Sequence, residues 1–386
     1  MSQRVPPTVL ARLRLLSQAL LGSTLRTPAD GVRWMTAMQG QDFAGALHSV
    51  ALRVPGATRE DVRAALDAGL IVRSWPFRGT LHLTAAEDLG WMMGLTSERI
   101  MTGQAARHRQ LGITAADVET AREAALRMLD GGRSAARNEM QQAFQAAGQE
   151  TAGQRGIHLL WLLNLTGTLV QGPTIGTKQL FVLSKEWIPK PRTPDRDEAL
   201  AELVLRYFRS HGPATITDFT WWSKLTLTDA RAGLDAVKDQ LVELPAGVTA
   251  NGNSYWLSEE TAALLDGRVT GSRSLLLLPG FDEFLLGYAD RSAALDPEHT
   301  GLIVPGGNGM FKPTIVAGGR VVGTWRKATT ATTATKATTA TKATKATTAT
   351  KANGAVVEAV PFSELTSAQE RGFSRAAAGY ARFLAH

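Results

Sequence analysis

The 386-residue chain contains no cysteine. That excludes disulfides, thiolate zinc sites, cysteine-ligated iron–sulfur clusters and a thiol nucleophile, so any chemistry uses oxygen and nitrogen groups. Histidine is scarce as well. The seven histidines are scattered, with no HxxxH or HxH pair, and neither a metal site nor a cofactor is expected. No apolar run approaches the roughly 20 residues of a membrane span. The stretch MSQRVPPTVL lacks the apolar core of a signal peptide, so a monomeric cytoplasmic protein, nucleoid-associated if it acts on DNA, is the expectation. The glycines of GGNGM have no GKS or GKT beside them, which excludes a phosphate-loop nucleotidase.

Positive charge is present but unevenly placed. The formal net charge is +7, yet Lys327, Lys336, Lys342, Lys345 and Lys351 all fall in one Ala/Thr/Lys tract at 327–354 and leave only about +2 elsewhere. The tract has no apolar face and reads as a solvated loop: either an expanded repeat without a task or a basic arm for DNA phosphates. Local arginines such as Arg99, Arg107 and Arg109 carry more information than the overall pI. They are either DNA contacts or an ordinary solvated helix face.

Three times the chain runs through helical periodicity into two short alternating stretches. In residues 1–112, PTVLARLRLLSQALLG and ATREDVRAALDAG precede IVRSWPFRGTLHLT. In 113–190, three helical runs precede TLVQGPTIGTKQLFVLS. In 191–262, three more precede LVELPAGVTANGNSYWLS, where Asn251-Gly252-Asn253 reads as a hairpin turn. Helices closed by a hairpin follow the winged-helix order, and repetition strengthens the reading. From 263 to 386 glycine-punctuated apolar runs suggest a small β-rich, barrel-like module closed by one last helix. The predicted fold class is mainly α with β, as three tandem winged helices plus that module.

In this order the chain resembles the winged-helix DNA-binding superfamily that contains the AlkZ-like and YcaQ-like (AlkX) bacterial DNA glycosylases. The residues that carry the resemblance are MQGQDFAGAL, RSWPFRGTLHL, TAGQRGIHLLW, HGPATITDFTWWSKL and PGFDEFLLGYADR. They span nearly the whole chain outside the Ala/Thr/Lys tract. The resemblance implies a glycosylase acting on double-stranded DNA with alkylated or crosslinked purines. It also implies a catalytic Gln-x-Gln motif, matched here by Gln39 and Gln41, where the YcaQ-like branch has Gln-x-Asp. The middle residue, aliphatic in the family, is Gly40 in this chain.

The chemistry of MQGQDF can be reasoned independently. Residues two apart diverge by about 200° on a helix but share one side of an extended segment, so Gln39 and Gln41 can serve one ligand only if the chain is extended there. Without the resemblance, both glutamines would equally suit a helix–helix junction, satisfying backbone groups. A neutral amide is no general base at pH 7, but it can orient a water and set a dipole beside developing positive charge. That suffices only for a leaving group that departs easily. An N7-alkylated guanine is one, because it is cationic and leaves as a neutral purine. No motif positions a lysine or N-terminal proline nucleophile, so no lyase step is expected.

Asp42 reads as the N-cap of the next helix and, less simply, as an aid to the water. Arg78, Thr80 and His82 share one face of a strand and are candidates to support the glutamine loop or contact DNA, as is Arg73. Gln154 and Arg155 open a helix in the place of a recognition helix, and with Arg107 and Arg109 are candidate DNA contacts. Trp221-Trp222 and PGFDEFLLGYADR read as packing, with Asp282, Asp290 and Arg291 as an internal ion-pair network. The rival to a glycosylase is a non-catalytic winged-helix DNA-binding protein.

Overall fold

A computed structural model of the chain describes residues 4–176, 178–246, 249, 252–328, 349–352 and 355–385. Its first segment holds α1 (Pro7–Ser17), α2 (Pro28–Met35), β1 (Ala37–Gln39), α3 (Phe43–Leu52), α4 (Arg59–Asp67), β2 (Ile71–Phe77) and β3 (Thr80–Ala85). Helices α5 (Leu89–Gly103) and α6 (Ala105–Gln110) lead to α7 (Ala115–Leu129), α8 (Arg137–Ala146), α9 (Arg155–Leu165) and the hairpin of β4 (Leu169–Ile175) and β5 (Lys178–Leu183). After α10 (Ser184–Trp187) come α11 (Arg196–His211), α12 (Ile216–Ser223), α13 (Leu227–Val237), β6 (Val242–Leu244) and β7 (Tyr255–Leu257). The remainder is α14 (Glu259–Ala263), β8 (Leu275–Leu278), α15 (Glu283–Leu286), α16 (Thr300–Ile303), β9 (Thr314–Ala317), β10 (Arg320–Ala328), β11 (Ala349–Ala352), β12 (Ala355–Pro361) and α17 (Ser367–Ala385).

Local sequence explains many helix starts. Thr27/Asp30, Thr58/Asp61, Thr114/Asp117 and Thr215/Asp218 are the same device, in which the threonine hydroxyl takes the N–H three residues on and the aspartate returns the bond. The β2–β3 hairpin turns on Arg78 and Gly79, whose φ values of +57° and +66° are those a two-residue hairpin turn of type I′ needs.

The three hairpins do not stand apart. Those of the first two segments lie side by side in one antiparallel sheet of order β1-β3-β2-β4-β5, joined by the pairing of Arg73 with Gln171. The third, β6–β7, is a separate two-stranded sheet; of its expected turn, Asn251 lies outside the described residues. The C-terminal strands correct the expectation of a barrel-like module. Among the described residues they form an open antiparallel sheet, β11-β12-β10-β9-β8, with no closing pair. One face is covered by α17 through Phe373 and Ala377 against Leu277, Ile315 and Trp325, so apolar burial is achieved by a helix instead of by closure. Lys327 and Ala328 end β10, and residues 329–348 of the Ala/Thr/Lys tract lie outside the described residues.

Two cores fix the position of β1. Trp222, Tyr207, Phe208 and Phe219 of the third helical segment pack with Ala37, Phe77, Trp91 and Met92 of the first. On the other side Met38 packs with Val32, Met35, Leu47 and Leu66 of α2–α4. The segment after β1 is thereby held between the first and third helical groups. Among the described residues, no helix is long and apolar enough to cross a membrane.

Candidate catalytic site

Strand β1 ends at Gln39, paired opposite His82 of β3. The Gly40 N–H donates to the Leu81 carbonyl at 2.7 Å, so the ladder runs one residue past the strand. Beyond Gln39 the strand gives out and the chain bends at Gln41 and Asp42 into α3, so the two glutamines are not alternate residues of one straight strand. Gln39 is buried, and its Oε1 accepts from Thr80 Oγ1 at 3.2 Å. Gln41 is exposed, and its Oε1 faces the Leu81 N–H at a long 3.5 Å. Both carboxamide oxygens therefore meet the start of β3.

Gly40 has close neighbours, at the edge of ordinary contact distance for a larger residue. A Cβ there would lie 3.4 Å from Arg73 Nε and from the His82 backbone. Arg73 is drawn in by three acceptors: its Nε donates to the Gly40 carbonyl at 2.8 Å, and its Nη1 to Gln171 Oε1 at 2.9 Å and Gln179 Oε1 at 3.1 Å. The candidate DNA contact of the sequence thus also braces the glutamine loop against the second hairpin. Asp42 does occupy the N-cap position of α3, but its carboxylate makes no cap hydrogen bond and is exposed beside the motif.

Arg78, Thr80 and His82 do come together. Arg78 Nη2 lies 2.9 Å from His82 Nε2, and His82 Nδ1 lies 2.8 Å from the Thr80 carbonyl. A guanidinium can only donate, so Nε2 accepts and Nδ1 carries the proton. Burial, then the Arg78 charge, lowers the His82 pKa to about 3, which keeps the ring neutral.

The circuit closes through residues that the sequence reading assigned to packing. The Gln39 N–H donates to Glu283 Oε1 at 2.9 Å, and Trp222 Nε1–H donates to Glu283 Oε2 at 3.1 Å. Arg78 Nη1 donates to the Trp222 carbonyl at 2.8 Å. Gln39, Glu283, Trp222, Arg78, His82 and Thr80 thus form one ring of hydrogen bonds around the motif. Burial alone would raise the Glu283 carboxyl; His211 Nε2 at 3.7 Å and the Arg78 charge outweigh it and hold the pKa at about 2. The neighbouring Asp282 pairs with Arg53, just past the end of α3, at 2.9 Å, not with Arg291, and also accepts from Ser49 Oγ at 2.6 Å.

The chain similarities bear on this site. A family model described as DNA glycosylase AlkZ-like matches residues 32–383. The chain belongs to the AlkZ-like DNA glycosylase family. An "Interstrand DNA cross-link repair glycosylase" of Streptomyces sahachiroi is 29% identical over 328 residues, which cover 81% of this chain and 85% of that protein. The solved structure of Streptomyces sahachiroi DNA glycosylase AlkZ superposes with a TM-score of 0.70 at 26% identity, over 84% of this chain and 88% of the other.

In this AlkZ-like chain the remaining sequence candidates lie apart from the ring. Gln154 starts α9 with a left-handed φ of +77°, and its Oε1 accepts from Arg107 Nη2 at 2.9 Å. Arg155 is committed to Asp117 at 3.1 Å and to Gln149 Oε1 at 2.9 Å. Arg109 is exposed. His158, further along α9, is half-buried with its ring 5.2 Å from that of His108. Among the described residues no three His, Asp or Glu gather as a cation site.

Glu283, Trp222 and His211 are the residues that sequence reasoning missed. One signal was available. Asp282 and Glu283 interrupt the apolar run LLLLPGFDEFLLGY, and carboxylates inside such a run are buried only when charge and hydrogen bonds hold them.

Proposed function

We propose that the protein is a monofunctional DNA glycosylase that hydrolyses the N-glycosidic bond of alkylated purines, N7-alkylguanine above all, and unhooks interstrand crosslinks. The observation that carries this reading is the Gln39/Gln41 pair at the end of β1, with one carboxamide locked in the ring and the other open beside the exposed Asp42 carboxylate. The similarity to a crosslink-repair glycosylase supports the same substrate class.

In the reaction, a water held by the glutamine amides forms a bond to the sugar C1′ as the bond from C1′ to N9 breaks. The electron pair goes to the cationic purine, which leaves neutral. The water's proton passes to Asp42 or to solvent. The amide dipoles act beside the positive charge that develops on the sugar. No lysine adduct is needed, so the product is an abasic site and a free base.

A crosslinked base is tethered to the other strand and cannot be flipped into a closed pocket. The exposure of Gln41 and Asp42 suits a lesion approached on the duplex surface. We read the three segments of helices and hairpin, 1–112, 113–190 and 191–262, as tandem winged helices that present this surface. On this reading Arg109, with Arg107 and Gln154, reaches the DNA backbone, and the enzyme works as a cytoplasmic, nucleoid-associated monomer.

The test is incubation with a duplex carrying one N7-alkylguanine, then hot alkali and a denaturing gel, beside the Gln39→Ala/Gln41→Ala variant. Cleavage by the wild type alone supports the reading. Binding without cleavage by either protein would leave a non-catalytic DNA-binding protein.

A further inference from the structure

We propose that Arg78, Arg99 and Lys224 form a pocket for a single DNA phosphodiester beside the glutamine loop; this rests on the reading of the protein as acting on DNA. The three side chains line one cavity of about 240 Å³, together with Gly79, Ser223 and Leu225. That is smaller than the roughly 300–1,000 Å³ of a drug-sized ligand site and suits a small anionic group. No aspartate or glutamate lines it. Among the described residues none of the three cations forms an ion pair.

Two of these cations share one aromatic ring, and Arg78 is also fixed by its bonds to the Trp222 carbonyl and to His82. The Arg78 guanidinium lies 5.4 Å and the Lys224 ammonium 5.8 Å from the centre of the Trp221 ring. Such contacts orient a cation without neutralising it, so Lys224 keeps its charge for a ligand while Arg78 shares its charge with the buried Glu283 carboxylate. Lys224, at the C-cap of α12, also complements that helix's carbonyl terminus. Arg78 does not share that explanation, since it comes from a hairpin tip. Arg78 and Lys224 both adopt left-handed backbone, with φ of +57° and +62°, set by the hairpin turn and by the end of α12.

The pocket is wired to the motif. Arg78 donates to His82, His82 to the Thr80 carbonyl, and Thr80 to Gln39 Oε1. A phosphate held on Arg78 therefore sets the register of the DNA against Gln39, and its occupancy steadies the ring that positions the carboxamide.

The experiment measures binding to a duplex carrying 2′-fluorinated N7-methylguanine, whose glycosidic bond resists hydrolysis. Each phosphate around the lesion is replaced in turn by an uncharged methylphosphonate. The wild type should lose affinity about tenfold at one position, and the Arg99→Ala/Lys224→Gln variant should already bind about tenfold more weakly and be insensitive at that position, with its salt slope smaller by about 0.9. Arg99→Lys should restore most of the loss. The thermal midpoint of each variant, measured in parallel, establishes that the folded protein is compared. A variant that binds as tightly as the wild type, or that loses affinity at the same position as the wild type, overturns the pocket. If the wild type excises no N7-methylguanine yet the coupling between variant and phosphate holds, the glycosylase reading fails and the pocket stands.

Discussion

Gln39 and Gln154 both stand near an arginine at the entrance to a helical run, and from sequence both were candidates for work on DNA. Their surroundings differ in kind. Gln39 is buried in a closed ring of hydrogen bonds that draws on β1, the β2–β3 hairpin, α12 and α15, and includes a fully buried carboxylate. Gln154 has one exposed bond to Arg107, and Arg155 beside it is taken up by Asp117. Buried charge is costly unless every member is satisfied. A ring of this kind is therefore expected where one side-chain position matters, and an open helix start is expected where only charge near DNA matters.

The comparison breaks first on activity. Gln39→Ala/Gln41→Ala should lower single-turnover excision of N7-methylguanine by at least about a hundredfold, the scale on which positioned polar groups act. Its DNA affinity should remain within about threefold, since few phosphate contacts change. Gln154→Ala should leave excision within about twofold, because that glutamine holds only a surface arginine. Equal losses from both changes would remove the distinction.

Stability provides the next test. Glu283→Ala strands the Gln39 N–H and the Trp222 indole N–H, and should cost about 3 kcal/mol in urea unfolding. Glu283→Gln keeps an acceptor for Gln39 and should cost less, while still slowing excision. If the two variants unfold alike and excise alike, the carboxylate is packing and no more.

How far this was visible in the sequence follows from the same contrast. Helix starts, the hairpins and the end of β1 leave local marks: Thr-x-x-Asp boxes, Arg78-Gly79, and the glycine between Gln39 and Gln41. The shared sheet does not, because the pairing of Arg73 with Gln171 joins residues 98 apart by hydrogen bonds with no local signature. The open C-terminal sheet was mistaken for a barrel because alternating apolar runs serve both, and only the packing of α17 decides between them. Half of the ring was legible, on the hairpin where Arg78, Thr80 and His82 share a face. The other half arrives from Glu283, 244 residues away from Gln39, and could be suspected only from its place in an apolar run.

Titration sharpens the comparison less dramatically. His82, with a pKa near 3, and His48, near 4, are both held neutral chiefly by burial, whereas each would titrate near 6.5 when unfolded. The unfolded chain therefore binds more protons below pH 6.5. The stabilisation is complete above pH 6.5 and is lost as pH falls towards 4 and 3, at up to about 1.4 kcal/mol per pH unit for each ring. Glu283 has the same sign in a lower window: its contribution is complete above its ordinary value of 4.5 and is lost as pH falls through about 2. His48 sits among Trp325, Tyr380 and Phe383 with Nδ1 unpartnered, so His48→Phe should flatten the slope between pH 6.5 and 4.5 by about one proton. Urea midpoints at pH 7, 5.5 and 4.5 measure it.

The smallest expected effect lies wholly in the open region. Arg109 is exposed and makes no ion pair among the described residues, whereas Arg155 is neutralised by Asp117. Arg109→Ala should thus reduce the dependence of log affinity on log salt by about 0.9, the loss of one phosphate contact, and weaken binding on every duplex to a similar degree. Arg155→Ala should leave that slope unchanged and cost instead about 1 kcal/mol of folding stability, through Asp117 and Gln149. Affinity titrations between 50 and 200 mM salt, chosen to span the range in which phosphate contacts dominate, separate the two. If Arg155 proved to carry the slope, its pair with Asp117 would have to open on DNA. The start of α9 would then resemble the ring around Gln39 in being built for a ligand, and the contrast between the two regions would not hold.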